Sequence, residues 1–144
     1  MNKAEAKDFV DRFAEYWRAP TPEGLSTVLA ERTRLVAPMT PTTHTLADGQ
    51  RAFADLFELI QGMTAEVHRW GATSDGVLIE FTVTGTTGGG PISWDAIDRF
   101  VVGPDGLATE RISYFDPMPL VLTAARRPRA WPDFLRSRLR QLRR

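Results

Sequence analysis

The spacing of apolar residues changes once along this chain, near Gly62, and that change limits the folds open to it. Before Gly62 apolar residues recur at helical spacing, as in Phe9, Val10, Phe13 and Trp17. After Gly62 they alternate in four strand-length runs: 63–70, 77–85, 92–102 and 107–116. The segments GATSDG, TTGGGP and GPDG separate these runs and are typical of tight turns. Helices followed by hairpins predict an α+β fold.

The half of the chain before Gly62 divides into three predicted helices and one strand. Asn2 and Glu5 have the spacing of a capping box, Thr21-Pro22 is typical of a second helix start, and Asp48 is a plausible N-cap for the third. A weakly alternating strand over 32–37 and a Pro/Thr-rich loop over 38–48 lie between the second and third helices. Because short hairpins pair strands antiparallel, we expect a curved antiparallel sheet with three helices over its concave face, enclosing a pocket.

Opposite charges are segregated along the chain, although the whole chain is neutral. Residues 1–116 contain 10 Lys and Arg against 17 Asp and Glu, and residues 117–144 contain 8 Arg against Asp133 alone. The body therefore carries about −7 and the tail about +7. This asymmetry suggests that the tail contacts something acidic.

The tail has the pattern of a basic amphipathic helix. Apolar residues recur at steps of three and four: Trp131, Leu135, Leu139 and Leu142, with Phe134 beside them. Arginines occupy much of the remaining surface: Arg136, Arg138, Arg140, Arg143 and Arg144. Such a helix suits an anionic membrane surface or an acidic protein partner, and equally the acidic body of its own chain or of a dimer. The acidic body argues against nucleic acid as a partner.

Several classes of site are excluded by the residues themselves. The absence of cysteine excludes disulfides, thiolate nucleophiles and zinc or iron–sulfur sites that use cysteine. His44 and His68 lie too far apart for a short metal-binding motif, and GTTGGGP lacks the Lys-Ser/Thr of a phosphate loop. We therefore expect no metal and no cofactor. The charged N-terminus has no apolar run, which predicts a cytoplasmic protein without a signal peptide or membrane span.

Three features together resemble a known family. They are the element order over residues 1–116, the strand Trp94-Asp95-Ala96-Ile97-Asp98-Arg99-Phe100 and the ending GPDGLATERISYFDP. They resemble the SnoaL-like and ketosteroid-isomerase-like branch of the nuclear transport factor 2-like superfamily. The resemblance implies a cone-shaped, cystatin-like roll with a hydrophobic pocket, usually in a homodimer. It predicts a pocket domain over 1–116, and it does not cover the Arg-rich tail over 117–144.

The resemblance also assigns roles in proton transfer. Members of this branch isomerise, cyclise, hydrate or only bind small hydrophobic ring compounds. The family's general base falls at Ala37 and its oxyanion-hole tyrosine at Phe13, neither of which can transfer a proton, although Tyr16 lies nearly one turn further on. The second oxyanion donor matches Asp98, and in ketosteroid isomerase this carboxyl is the known example of a neutral buried acid. The terminal Tyr-Phe-Asp matches the base of other relatives at Asp116.

Each candidate has a structural alternative. Asp98 shares one face of its strand with apolar residues. It is either a proton donor or base in the pocket, or the partner of an arginine such as Arg111, or exposed at a sheet edge. Asp116 either orients a water at the pocket mouth, or hydrogen-bonds the turn or the Arg126-Arg127 pair. A single bulge would exchange the two faces of the last strand. His68 is predicted on the surface or in an interface, and His44 lies in the loop that could cover the pocket.

The aromatic residues leave two functions open. Seven rings would either line one cavity or pack as a solid core: Phe13, Trp17, Phe53, Phe57, Phe81, Trp94 and Phe115. A cavity would suit a cofactor-independent isomerase, cyclase or hydrolase that uses a carboxylate on a hydrophobic ring-bearing metabolite. The loss of two ketosteroid-isomerase roles favours instead a non-catalytic ligand-binding or oligomerisation module.

Overall fold

The computed structural model describes residues 1–143 and confirms the predicted α+β fold. The elements before the hairpins are α1 (Lys3–Arg18), a short 3₁₀ helix (Glu23–Thr27), β1 (Leu29–Val36) and α2 (Leu46–Leu59). The hairpin strands are β2 (Gln61–Ala72), β3 (Gly76–Thr87), β4 (Gly90–Val102) and β5 (Ala108–Tyr114). The tail forms α3 (Met118–Arg126), a 3₁₀ turn (Pro128–Ala130) and α4 (Trp131–Leu142).

The five strands form one curved sheet in the order β1-β5-β4-β3-β2. The three hairpin pairings, β2 with β3, β3 with β4 and β4 with β5, are antiparallel as predicted. The edge pairing of β1 with β5 is parallel, so the sheet is mixed and not antiparallel throughout. The reason is that no hairpin joins these two strands, and hairpin chemistry fixes direction only between strands that are neighbours in sequence.

The helix ends show where local chemistry decides the fold. At α1 the predicted capping box is present, since Asn2 accepts from the Glu5 backbone and Glu5 accepts from the Asn2 backbone, both at 2.9 Å. At α2 the N-cap is Thr45 and not Asp48, because the Thr45 hydroxyl accepts from the Asp48 backbone at 3.1 Å. The helix therefore begins three residues earlier than predicted. Asp48 lies in its first turn, where a carboxylate suits the helix dipole.

The core lies between α1 and the concave face of the sheet, and aromatic rings dominate it. The Phe9 and Phe100 centroids lie 4.9 Å apart, and Phe13 lies 5.3 Å from Phe81 and 5.5 Å from Phe100. All four side chains are almost completely buried. This cluster packs α1 on the sheet.

The predicted single tail helix is divided into two, and both pack on the body. Arg127, at the junction, donates to the backbone carbonyls of Thr87, Gly90 and Pro91 at 2.8–3.0 Å. Arg140 of α4 pairs with Glu58 at 2.7 Å and with Asp55 at 3.3 Å. Docking of the tail on its own body, one of the alternatives that the sequence leaves open, is therefore present within residues 1–143, while Arg144 lies outside the described residues. Within that range no helix combines the length and apolar character needed to cross a membrane.

Candidate ligand-binding site

A cavity of about 510 Å³ lies between the concave face of the sheet, α2, the loop after β1 and the tail helices. Five of the seven predicted aromatic residues line it: Trp17, Phe53, Phe81, Trp94 and Phe115. Phe13 and Phe57 are absent from its lining. Phe13 belongs to the solid core, and Phe57 packs its ring against Trp17 and Phe53. The volume lies within the range of small-molecule pockets, and aromatic walls of this kind suit ring compounds.

Alternate residues near the end of β5, and Phe115 just after it, face this cavity. Arg111, Ser113 and Phe115 line it, whereas Tyr114 is mostly exposed on the opposite face of the sheet. The sequence alone could not predict which face of β5 meets the cavity, because one bulge reverses the facing of every later residue. A register irregularity does occur between β4 and β5, at Val101 and Val102.

Asp98 forms an ion pair with Arg111. This pairing is the structural alternative to a catalytic role for Asp98. The Asp98 side chain is 0% exposed, and its Oδ2 accepts a hydrogen bond from Arg111 Nε. Its Oδ1 is buried and has no hydrogen-bond partner among residues 1–143. Arg111 is 14% exposed, and its guanidinium lies 5.5 Å from the centroid of the Phe53 ring. Arg111 lines the cavity and Asp98 does not, so Asp98 lies behind the arginine.

Asp116 lies outside the cavity lining and is exposed. Its Oδ1 accepts from the Met118 backbone N–H at 2.9 Å, at the turn that leads into α3. This is an Asx turn, in which a short carboxylate binds the backbone two residues on. The contact is the one expected of a turn residue.

Tyr16 is buried and also lies outside the lining of this cavity. Its hydroxyl donates to the Thr21 backbone carbonyl at 3.0 Å and thereby holds the segment after α1. Burial raises the pKa of the Tyr16 phenol above its ordinary value of 10.0, and Arg111 opposes this only in part. The structure therefore gives Tyr16 a contact that stabilises the fold.

We expect Tyr16→Phe to change the alkaline stability of the protein. Because the folded-state pKa is raised, the phenol ionises first in the unfolded chain, so stability is complete below pH of about 10 and falls above it. The variant should lose about 1 kcal/mol near neutrality, from the hydrogen bond, and show a flatter decline above pH 10. Urea unfolding between pH 7 and 11 measures both effects. The exposed Tyr114→Phe is the matched control, and an equal response of the two variants would contradict the assignment.

Sequence reasoning missed an acidic residue of the cavity wall. Asp55 of α2 is buried, lines the cavity and pairs with Arg140 of α4. Only its helical spacing could have indicated this position, because Asp55 lies one turn from both Ala52 and Leu59, which also line the cavity.

The tail was also missed as part of the wall, since the resemblance ended before it. Several of its residues contribute, among them Leu120, Val121, Phe134 and Arg138. His44 is exposed on the loop after β1 and lines the cavity, whereas exposed His68 bonds Thr82 at 2.6 Å. Within residues 1–143 no group of three His, Asp or Glu side chains is arranged to hold a metal ion.

Comparison with known proteins identifies the fold and the family. The SnoaL-like domain family matches residues 10–111, which is most of the chain. No curated protein matches. The TsrD structure from Streptomyces laurentii is 18% identical with a TM-score of 0.68, covering 83% of this chain and 94% of TsrD.

Two further structures share the fold. TerC co-crystallised with polyporic acid is 18% identical with a TM-score of 0.71, covering 81% of this chain and 95% of TerC. A candidate polyketide cyclase of Acidithiobacillus ferrooxidans is 14% identical with a TM-score of 0.72, covering 88% of this chain and 99% of that protein. The family match confirms the resemblance drawn from the sequence, and the chain belongs to the SnoaL-like family.

Proposed function

We propose that this protein binds a small apolar ring compound that carries an acidic oxygen such as a phenol, enol or carboxylate. The observation that supports this most is Arg111, a guanidinium fixed in the wall of a cavity that is otherwise mainly apolar. The rings would lie against the aromatic wall, and the oxygen would lie at Arg111.

The aromatic wall supports the first half of the proposal. Trp17, Phe53 and Phe81 all line the cavity, and the Trp17 and Phe81 rings are stacked with centroids 6.4 Å apart. The Trp94 and Phe115 centroids lie 6.2 Å apart in the same lining. Flat apolar rings fit between such surfaces with little loss of conformational entropy. TerC, whose fold is similar to this one, was co-crystallised with polyporic acid, a ligand consistent with this class.

The setting of Arg111 supports the second half. Its Nε is engaged by Asp98, so its two Nη groups are the donors that a ligand oxygen would meet. The Phe53 ring and the Asp98 carboxylate fix the guanidinium plane, so little side-chain entropy is lost when a ligand binds. Hydrogen bonds between a guanidinium and an ionised oxygen are about twice as strong as neutral ones.

Asp98 is accordingly proposed as a positioning residue for Arg111. It holds the guanidinium from behind, and it lies outside the cavity lining where a ligand would sit. The charges of the pair cancel, so the site keeps hydrogen-bond donors without a net charge.

A matched pair of ligands tests the proposal. We expect a hydroxynaphthoquinone to bind the wild-type protein about 10–100-fold more tightly than its methyl ether, because the ether cannot present an ionised oxygen. Asp98→Asn/Arg111→Gln removes both charges together, leaves no buried charge alone, and should bring the preference close to one. Titration followed by tryptophan fluorescence measures both affinities.

Arg99→Gln is the control, because Arg99 adjoins Asp98 in β4 but pairs with Asp75 and Glu110 outside the cavity. It should keep the preference for the acid. Equal binding of acid and ether by the wild type, or no binding of hydroxynaphthoquinone and hydroxyanthraquinone pairs, would contradict the proposal.

Cofactor-independent acid–base turnover is a second candidate, as an isomerase, cyclase or hydrolase. Asp55 favours it, since this buried carboxyl lines the same cavity as Arg111. The same titration tests this candidate: turnover would consume an excess of the acid over hours, whereas a binding protein leaves it intact.

A further inference from the structure

The apolar row of α4 faces away from the body. Trp131, Leu135, Leu139 and Leu142 are 52%, 60%, 53% and 82% exposed. These are the residues whose spacing predicted the apolar side of the tail helix, so the side expected to be buried is the outer one. A regular row of solvent-exposed leucines is typical of a surface that binds a partner or a membrane.

The contacts of α4 with its own chain are made by other faces of the helix. Phe134, Ser137 and Gln141 line the cavity, and Arg140 pairs with Asp55 and Glu58. The hydrogen bond from Arg140 lowers the pKa of Glu58, as expected of a formed ion pair. Docking of the tail therefore leaves the apolar row outside.

The neighbouring helix α3 also has exposed apolar residues. Met118 and Leu122 are one turn apart and exposed, and the Trp131 indole N–H donates to the Ala124 carbonyl at 3.0 Å, which ties the two helices together. The tail surface is defined here by six exposed apolar residues: Met118, Leu122, Trp131, Leu135, Leu139 and Leu142.

Arginines accompany the tail surface without acidic partners. Arg126, Arg129 and Arg143 make no ion pair with any residue in 1–143, and neither does Arg138, which also lines the cavity. At 100° per residue, Arg143 and Arg138 lie on opposite sides of the apolar row of α4. The body carries the acidic excess of the chain, so the two signs of charge are segregated between body and tail.

We propose that the tail surface binds an anionic lipid bilayer. A row of leucines with one tryptophan, flanked by arginines, is the composition of a helix that lies in the membrane interface. The apolar row would enter the acyl boundary, the arginines would meet lipid phosphates, and the acidic body would face away from the membrane.

A second copy of the chain is a poorer match for this surface. The outer face of the sheet has exposed apolar residues, but it also carries arginines: Arg34 and Arg99 pair with Glu110, and Arg69 pairs with Glu80. These arginines would repel a partner's tail arginines and weaken such a contact.

Vesicle flotation of the full chain tests the proposal. We expect binding to vesicles of phosphatidylcholine with phosphatidylglycerol, and at least about tenfold weaker binding to phosphatidylcholine alone. Leu135→Gln/Leu139→Gln should reduce binding at least about tenfold, and Arg126→Gln/Arg129→Gln/Arg143→Gln should reduce its dependence on salt. Leu78→Gln, which changes an exposed leucine on the sheet, should bind like the wild type.

Three results would overturn the proposal. One is no flotation of the wild type with the anionic vesicles. Another is equal flotation of the wild type and the leucine double variant. The third is self-association of the wild type, by sedimentation, that the leucine double variant abolishes, since the row would then bind a second copy. Circular dichroism of each variant separates loss of binding from loss of fold, because the substituted leucines are mostly exposed.

Discussion

Replacing Arg111 with methionine is expected to lower the free energy of unfolding by about 3–5 kcal/mol. Asp98 is completely buried and its Oδ2 is bound by Arg111. Its Oδ1 has no hydrogen-bond partner among residues 1–143, so the variant would leave a carboxylate in the protein interior without its cation. Desolvation of an uncompensated charge is among the largest costs that one substitution can impose.

The control for this experiment is the double variant Asp98→Leu/Arg111→Met. It replaces the pair with apolar side chains, and such replacements are often neutral or stabilising. We therefore expect most of the lost stability to return, as measured by urea unfolding at pH 7. A loss below about 1 kcal/mol for Arg111→Met would contradict the prediction, because that is the magnitude of a solvent-exposed pair.

This comparison also bears on the proposed function. If an apolar pair holds the fold as well as the charged one, the charges contribute little to stability beyond compensating each other. Their contribution would then lie in the guanidinium that Arg111 presents to the cavity. The acid preference measured for Asp98→Asn/Arg111→Gln tests that contribution directly.

Phe100→Ala is expected to cost about 3–5 kcal/mol. The ring is 1% exposed and lies between Phe9 at 4.9 Å and Phe13 at 5.5 Å, so its removal leaves a space that two fixed rings cannot fill. Phe100 does not line the ligand cavity. The variant should therefore keep its preference for the acidic ligand at temperatures where it is folded.

Phe57→Ala is the matched control on α2. Its ring is only partly buried and does not line the cavity, so less packing is lost. Thermal and urea unfolding of the two variants measures the difference. Equal losses would mean that Phe100 is not the centre of the core.

Much of the fold follows from local patterns in the sequence. The change of period near Gly62 predicted helices followed by hairpins, and both features are present. The Asn2 and Glu5 spacing predicted a capping box that forms with both hydrogen bonds. These predictions succeed because caps, hairpin turns and amphipathic periods depend on residues within a few positions of one another.

Local patterns could not predict which face of a strand meets the core, or which strands distant in sequence pair with each other. The parallel pairing of β1 with β5 joins strands that are distant in sequence, where no turn sets the direction. The facing of Arg111 depends on strand parity, which one bulge reverses. Asp98 and Asp116 are both candidate acids in the sequence, and tertiary contacts separate a buried partner of Arg111 from a turn residue.

The tail shows most clearly which properties follow from the sequence and which from the tertiary structure. Its sequence determined an amphipathic basic segment, because helical period and charge are local properties. Only the tertiary structure decided that Phe134 and Arg138 line the cavity while Leu135 and Leu139 face outward. The physical reason is that periodicity reports which residues share a face of a helix, whereas the ion pairs of Arg140 and the hydrogen bonds of Arg127 determine which face meets the body.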